Sequence, residues 1–436
     1  MNIINEEQKQ NPAPRPRLGV LGQKGFWGRA LTVLLIVFAA NLVIEFGLLT
    51  SLLPWLHSLQ LKSHQLLFWM LPRPASPKWV RMVVIDDELH QELKEPTDRK
   101  YLARLVRNAA LGDAAVIVLD VALTVPQGHR EGEDSLERKE MDEDLRNAIF
   151  DAAKLGVPVI VPCWIDRSYS QQTVIPSIYP DWMLPLSVEN HGRSDCAYLA
   201  CARRGNVNPA DDERKIPLST ELGVSSQCED SLALAATTAY EQATYRRPLT
   251  SEKKTIAEEI RHHEYVFGGF LGEAQFQTIP IRELAAGKPE AMRACRTRIV
   301  IIGGKWHEAL GQGRGVDVHE TSAGAMAGMY LHANYIEALL DDRTMREISP
   351  LPALLFDLGV GALLYSSYHK ANTTRGRYIV LSVFLLPLMG AYIAFVTLGY
   401  YLDFVLPLVA CFIHLSYELA ADDIKLRRAE KTGPAV

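Results

Sequence analysis

The chain has no glycine spacing of the GxGxxG or Walker kind. Gly303-Gly304 and the cluster from Gly311 to Gly315 fit neither pattern, so a phosphate-cradling loop has no sequence support. No nucleophile stands beside a base, and no metal motif with ordered spacing is present. His262 and His263 are adjacent; on a helix they point about 100° apart and on a strand to opposite faces. A long basic run is also missing. With 46 Lys and Arg against 51 Asp and Glu, the net charge of -5 argues against nucleic acid as a partner. Finally, charged residues are scarce from Ala30 to Leu56 and again after Leu351, and concentrated between those stretches. That distribution says more than the 48% apolar total, which suits an ordinary core.

What is present begins with Thr297-Arg-Ile-Val-Ile-Ile-Gly-Gly304. Four apolar residues closed by glycines read as a strand buried on both faces, in the middle of a sheet. A polar loop with Asp317, His319 and Thr321 follows, and Gly324 to Leu340 carries apolar residues at helical spacing. The same unit occurs earlier. Val83 to Glu88 is an apolar run ending in acids, Asp98 is placed to cap a helix from Arg99 to Leu111, and Ala114 to Asp120 again ends on an acid. Repeated strand and helix units predict an α/β fold with a mainly parallel sheet flanked by helices. Further helices are expected over Lys139 to Leu155 and Glu229 to Tyr245, and a core strand over Val157 to Pro162. Cys196 to Arg203 and Arg214 to Leu218 suggest a hairpin at a sheet edge, and Thr124 to Glu140 and Arg246 to His263 are long polar connections.

Those motifs carry a resemblance. The VxIDDE strand at Val83, the run GDAAVIVLDVAL, the stretch GNVNPADDERKIPL and the final RIVIIGG…DVHETSAGAMAGMYLHANYIEALL are similar, in that order, to the CHASE-two family of bacterial extracytoplasmic sensor domains. The similarity runs from about residue 60 to about 345. The chain departs from the family pattern at Asp212-Glu213, where Asp-Gly is usual, and at Thr321-Ser322, where Thr-Pro is usual. The resemblance implies one membrane helix before the sensor and three after it.

Hydropathy reaches the same architecture independently. Residues 1–29 hold a Pro-rich stretch and little apolar content, and are expected to be a disordered tail. The run within 30–56 is long enough to cross a hydrocarbon layer of roughly 30 Å at about 1.5 Å per residue. It reads as an uncleaved anchor rather than a signal peptide, since no small-x-small site follows it. Residues 57–350 form the large domain, 351–419 hold three further spans (Leu351 to Tyr368, Tyr378 to Leu398, Phe404 to Leu419), and 420–436 are a tail. Basic residues mark one side: Lys9, Arg15, Arg17, Lys24 and Arg29 in the first tail, Lys370, Arg375 and Arg377 in a loop, Lys425, Arg427, Arg428 and Lys431 at the end. The turn from Gly399 to Asp403 has neither Lys nor Arg. The positive-inside rule therefore puts both termini in the cytoplasm, and the large domain and that turn outside the cytoplasmic membrane of a bacterium.

Asp86, Asp87, Asp120, Asp317, His319 and Thr321 gather at the carboxyl ends of predicted strands, where open parallel sheets bind ligands. Asp86, Asp120 and Asp317 have two readings: helix caps and loop anchors, or oxygen ligands for calcium or magnesium. No other cofactor is expected. His332 reads as a core histidine. Five of the six cysteines, all but Cys411, fall in the large domain, where oxidation is permitted. The proposed hairpin brings Cys196 near Cys228 as a disulfide candidate, a reduced pair being the alternative, and Cys163 and Cys295 read as core residues. Glu45, Asp357 and His414 lie within apolar spans, which suggests an intramembrane polar network.

Members of the family commonly continue into a histidine kinase, a cyclase or a protein kinase, whereas only Ala420 to Val436 follow the last span here. The expectation is a sensor or interaction module, not an enzyme, that takes an unidentified small ligand and acts on a separate signalling or complex-forming protein. A second copy of the chain is a further candidate partner. A periplasmic scaffold subunit and a metal-assisted hydrolase are the competing readings.

Overall fold

The computed structural model describes residues 54–70, 76–93, 97–121, 123, 136–165, 177–178, 202–206, 215–217, 219–222, 227–245, 265–305, 318–341, 343–349, 351–353, 355–356, 359–360, 363, 385–404 and 424. In chain order these form α1 (Pro54–Trp69), β1 (Val80–Asp86), α2 (Asp87–Leu93), α3 (Arg99–Leu111), β2 (Val116–Asp120), α4 (Leu136–Lys154), β3 (Val159–Ile165) and β4 (Ser177–Ile178). Then come β5 (Ala202–Asn206), β6 (Lys215–Pro217), β7 (Ser219–Leu222), β8 (Gln227–Asp230), α5 (Leu232–Tyr245) and β9 (Tyr265–Gly268). A 3-10 turn at Glu273–Gln275 leads to α6 (Ile281–Ala285), α7 (Pro289–Cys295), β10 (Ile299–Lys305), β11 (Val318–Thr321), β12 (Gly324–Ala327) and α8 (Gly328–Leu340). β13 (Thr344–Glu347), a π-helical turn at Ala394–Leu398 and β14 (Tyr400–Tyr401) complete the set.

The main sheet has β10 between β1 and β2, and then β3. Each of these pairs is parallel, as is β3 with β5, while the short β4 pairs antiparallel at the end of β3. Alternation along the strands sorts their side chains onto two faces. Val83, Ile85, Ile117, Leu119, Val300 and Ile302 face the core formed with α3, α4, α6 and α7. Val80, Met82, Val116, Val118, Ile299 and Ile301 face α5 and α8. The fold is thus the expected mixed α/β arrangement, a parallel sheet between helices, with β10 buried on both sides. A smaller sheet has the order β14, β13, β9, β6.

Local chemistry sets the boundaries. Asp98 caps α3 as expected, its side chain accepting from Lys100 N at 2.8 Å and Tyr101 N at 3.3 Å. The helix expected from Glu229 starts at Leu232, because 227–230 pair with β7 and Ser231 Oγ accepts from Leu234 N at 3.2 Å, in the manner of a cap. The helix expected from Gly324 starts at Gly328. Gly324 adopts φ +107°, and Thr321 Oγ1 donates to its carbonyl at 2.6 Å, closing a turn that makes 318–321 and 324–327 a hairpin. The predicted edge hairpin is corrected outright: Ala202–Asn206 joins β3 in the main sheet, Lys215–Pro217 joins β9 in the other, and the hairpin here is β7 with β8. The connection expected over 124–140 ends in helix, since α4 starts at Leu136; its remainder, 124–135, and all of 246–263 lie outside the described residues.

Two compact units result. One comprises Ser58–Glu347 with Tyr392–Leu402, and the other Met1–His57, Ile348–Ala391 and Asp403–Val436. In the second, Gly390 lies against the Phe356 ring, where an added Cβ would come within 2.5 Å. Among the described residues no helix is long and apolar enough to cross a membrane. The first predicted span, 30–53, and nearly all of the fourth lie outside the described residues, as do Glu45, Asp357 and His414, and the second and third are described in part.

Candidate functional site

Because β1, β10 and β2 are parallel, their carboxyl ends share one edge, carrying Asp86, Lys305 and Asp120. The two acids, each expected at a strand's carboxyl end, do not end adjacent strands. β10 separates them, with Asp86 level with Lys305 and Asp120 level with Gly303, which puts their backbones roughly 12 Å apart, two strand spacings across and two residues along. The fit there is close: a Cβ on Gly303 would meet Asp120 O and Met329 Cβ at 3.1 Å.

Asp86 Oδ1 accepts from Leu89 N at 2.9 Å and so closes the first turn of α2, while Asp87 sits exposed in that turn. Asp120 is half-buried. His319, half-exposed on β11, pairs in register with Met326, and Thr321 is buried in the turn, accepting from Ala323 N at 3.2 Å. Asp317 lies outside the described residues. Among the described residues no three His, Cys, Asp or Glu stand together as a metal group. Cys196 also lies outside the described residues; Cys228 pairs in register with Glu221 on β7. Cys295 is buried and free, and burial pushes its thiol up to about 12. His332 is buried edge-on to Tyr335.

The sequence reading missed the edge's central group. Lys305 ends β10 and ion-pairs with Glu273 Oε2, and Glu273 Oε1 accepts from Ala327 N at 2.9 Å at the amino terminus of α8. The hydrogen bond to Glu273 raises the Lys305 pKa, and burial raises that of Tyr330, whose ring lies 5.4 Å from Lys305 Nζ. Glu273 is therefore both a counter-ion and a helix cap. Following the strand one residue beyond Gly303-Gly304 would have found the lysine; no local pattern pointed to Glu273. The edge as a whole presents exposed carboxylates beside a half-exposed ammonium, a mixed-sign surface suited to hydrogen-bonding a polar ligand.

At the opposite edge Glu337 was missed too, although an acid inside the apolar stretch 328–340 was visible. Fully buried on α8, it accepts from Lys78 N at 3.0 Å, Trp79 N at 2.7 Å and Val80 N at 2.8 Å. One turn on, Asp341 pairs with Lys78 at 2.9 Å and with Arg343 at 3.6 Å. These contacts pin the start of β1 to the end of α8.

A parallel sheet between helices with a polar carboxyl edge defines an α/β class of domain, and folds of that class host many functions. The family match is specific: the chain belongs to the CHASE2 domain family, a family of sensory domains, which it matches over residues 33–367. The match extends beyond the motifs, starting inside the first apolar run and ending inside the second. No curated protein and no solved structure matches the chain.

Proposed function

We propose that the chain is a membrane-anchored extracytoplasmic sensory module that passes its state to a separate partner protein. One observation carries the reading. Charge placement alone puts the Gly399–Asp403 turn on the same side of the membrane as the large domain, and Tyr400–Tyr401 of that turn is hydrogen-bonded into the domain's smaller sheet beside β13. Loop charge and backbone pairing both support a shared compartment for the turn and the domain. The family match supports the sensory role, and its extent into both apolar runs fits a sensor delimited by anchors.

The polar edge with Asp86, Asp87, Asp120 and the Lys305–Glu273 pair is the ligand end of the domain in this reading. The partner is reached through the apolar segments, where Glu45 and Asp357 are the candidate residues, because the loss of a polar contact in lipid costs of order 1 kcal/mol, enough to bias a balanced equilibrium. The test is partner capture in mild detergent, comparing the full chain, Glu45→Leu, and the large domain carried on an unrelated single-span anchor. The sensory reading expects Glu45→Leu to leave the domain folded and weaken capture, and the foreign anchor to abolish it. Equal capture by all three would replace it with the periplasmic scaffold.

A further inference from the structure

β14 is only two residues long, yet it joins three parts of the domain. Its backbone lies parallel to β13, with Arg346 level with Tyr400 and Glu347 with Tyr401, and Gly399 O accepts from Arg346 N at 3.0 Å. Gly399 ends the preceding π-helical turn at φ +67°, a left-handed conformation that aims the chain sharply back toward β13. The ring of Tyr401, itself buried, stands edge-on to buried His64 of α1 at 5.3 Å, and Phe395 stands edge-on to Phe68 of α1 at 5.2 Å. β13 in turn pairs with β9 and follows α8 across Asp341 to Arg343. The segment that follows the first apolar run and the segment that precedes the second thus both meet the turn between the third and fourth, the first through ring contacts and the second through backbone pairing.

We infer that Tyr400–Tyr401 is a strap coupling the sensory domain to the two carboxyl-terminal apolar segments it joins, with His64 and Phe68 as its seat. A domain attached only through chain connections would transmit movement along α1 and out of β13. The strap adds a third link and ties it to the other two, so a shift of α8 and β13 against α1 must either carry 392–402 along or break the ladder. A π-turn directly before the strap suits this use, since such turns are irregular points in otherwise regular helix. So short a ladder also opens more readily than the main sheet. This inference rests on the sensory reading above and specifies how the apolar segments are addressed.

The test is amide hydrogen exchange on the full chain in lipid nanodiscs. Glu337→Gln weakens the domain at the start of β1, outside the strap's own contacts, and exchange is then read across 385–398. Coupling through the strap predicts that Glu337→Gln speeds exchange there several-fold in the native background, that Tyr401→Ala abolishes this response, and that Tyr401→Phe, which keeps the ring, retains it. The inference is overturned if the response is the same with and without Tyr401→Ala, or if 385–398 does not respond while the domain's own amides do. Should Glu337→Gln leave the domain unchanged, Glu337→Ala takes its place, and Phe395→Ala replaces Tyr401→Ala if that variant does not fold. A wrong side of the membrane would be seen with topology reporters and not in this exchange pattern, so the two failures are distinguishable.

Discussion

Asp86 shows how an acid at a strand end is used before any ligand is considered. Its carboxylate accepts from Leu89 N and starts the seven-residue helix α2. Asp86→Ala should therefore cost about 1 kcal/mol, the usual worth of an amino-terminal cap. Thermal unfolding of the full chain in detergent measures it, with and without millimolar calcium or magnesium. Capping predicts the same loss in every buffer and no stabilisation of the native chain by either ion. A midpoint raised by an ion in the native chain, but not in Asp86→Ala, would restore the metal set with Asp120 and Asp317.

At the scale of elements, Glu337 holds α8 to β1 by accepting three backbone N–H groups. Truncating it leaves those donors unpaired in the interior, and Glu337→Ala should cost about 3 kcal/mol at neutral pH. Burial is the largest influence on its carboxyl and raises the pKa above the ordinary 4.5, against the three backbone bonds and Arg343, which lower it. Lys78, Arg81, Asp341 and Arg343 are the charged groups about it. A folded-state pKa above the unfolded one contributes stability that is complete below about 4.5 and is lost as pH rises through the folded value. Denaturation of native chain and Glu337→Gln across that window should show the native chain gaining relative to the variant as pH falls. A difference that is flat with pH, or reversed, contradicts the assignment. Elements were readable where the signal was local: the run Ile299 to Ile302 with its glycines, the cap at Asp98, and the acids ending β1 and β2. What escaped was set by pairing between distant segments. Nothing near Ala202 says that it joins β3 while Lys215 joins β9. Nothing in Gly324-Ala-Met-Ala, which reads as helix by propensity, records that β11 is available to pair with it. The candidate site divides the same way, its strand-end acids legible and its Lys305–Glu273 pair dependent on a turn 32 residues away in sequence.

For the whole molecule, the sensory family assignment, the mainly parallel α/β domain and the distribution of apolar runs make one account. In the proposed reading the domain receives its input outside the membrane and delivers it through the segments that the charge pattern assigns to the membrane. That assignment is the claim on which the rest depends, and reporter fusions measure it directly. Fusions placed after Arg377 and at Val436 should report cytoplasm, and a fusion near Gly223, between β7 and β8, should report the outside of the membrane. A cytoplasmic signal at Gly223 would contradict the account.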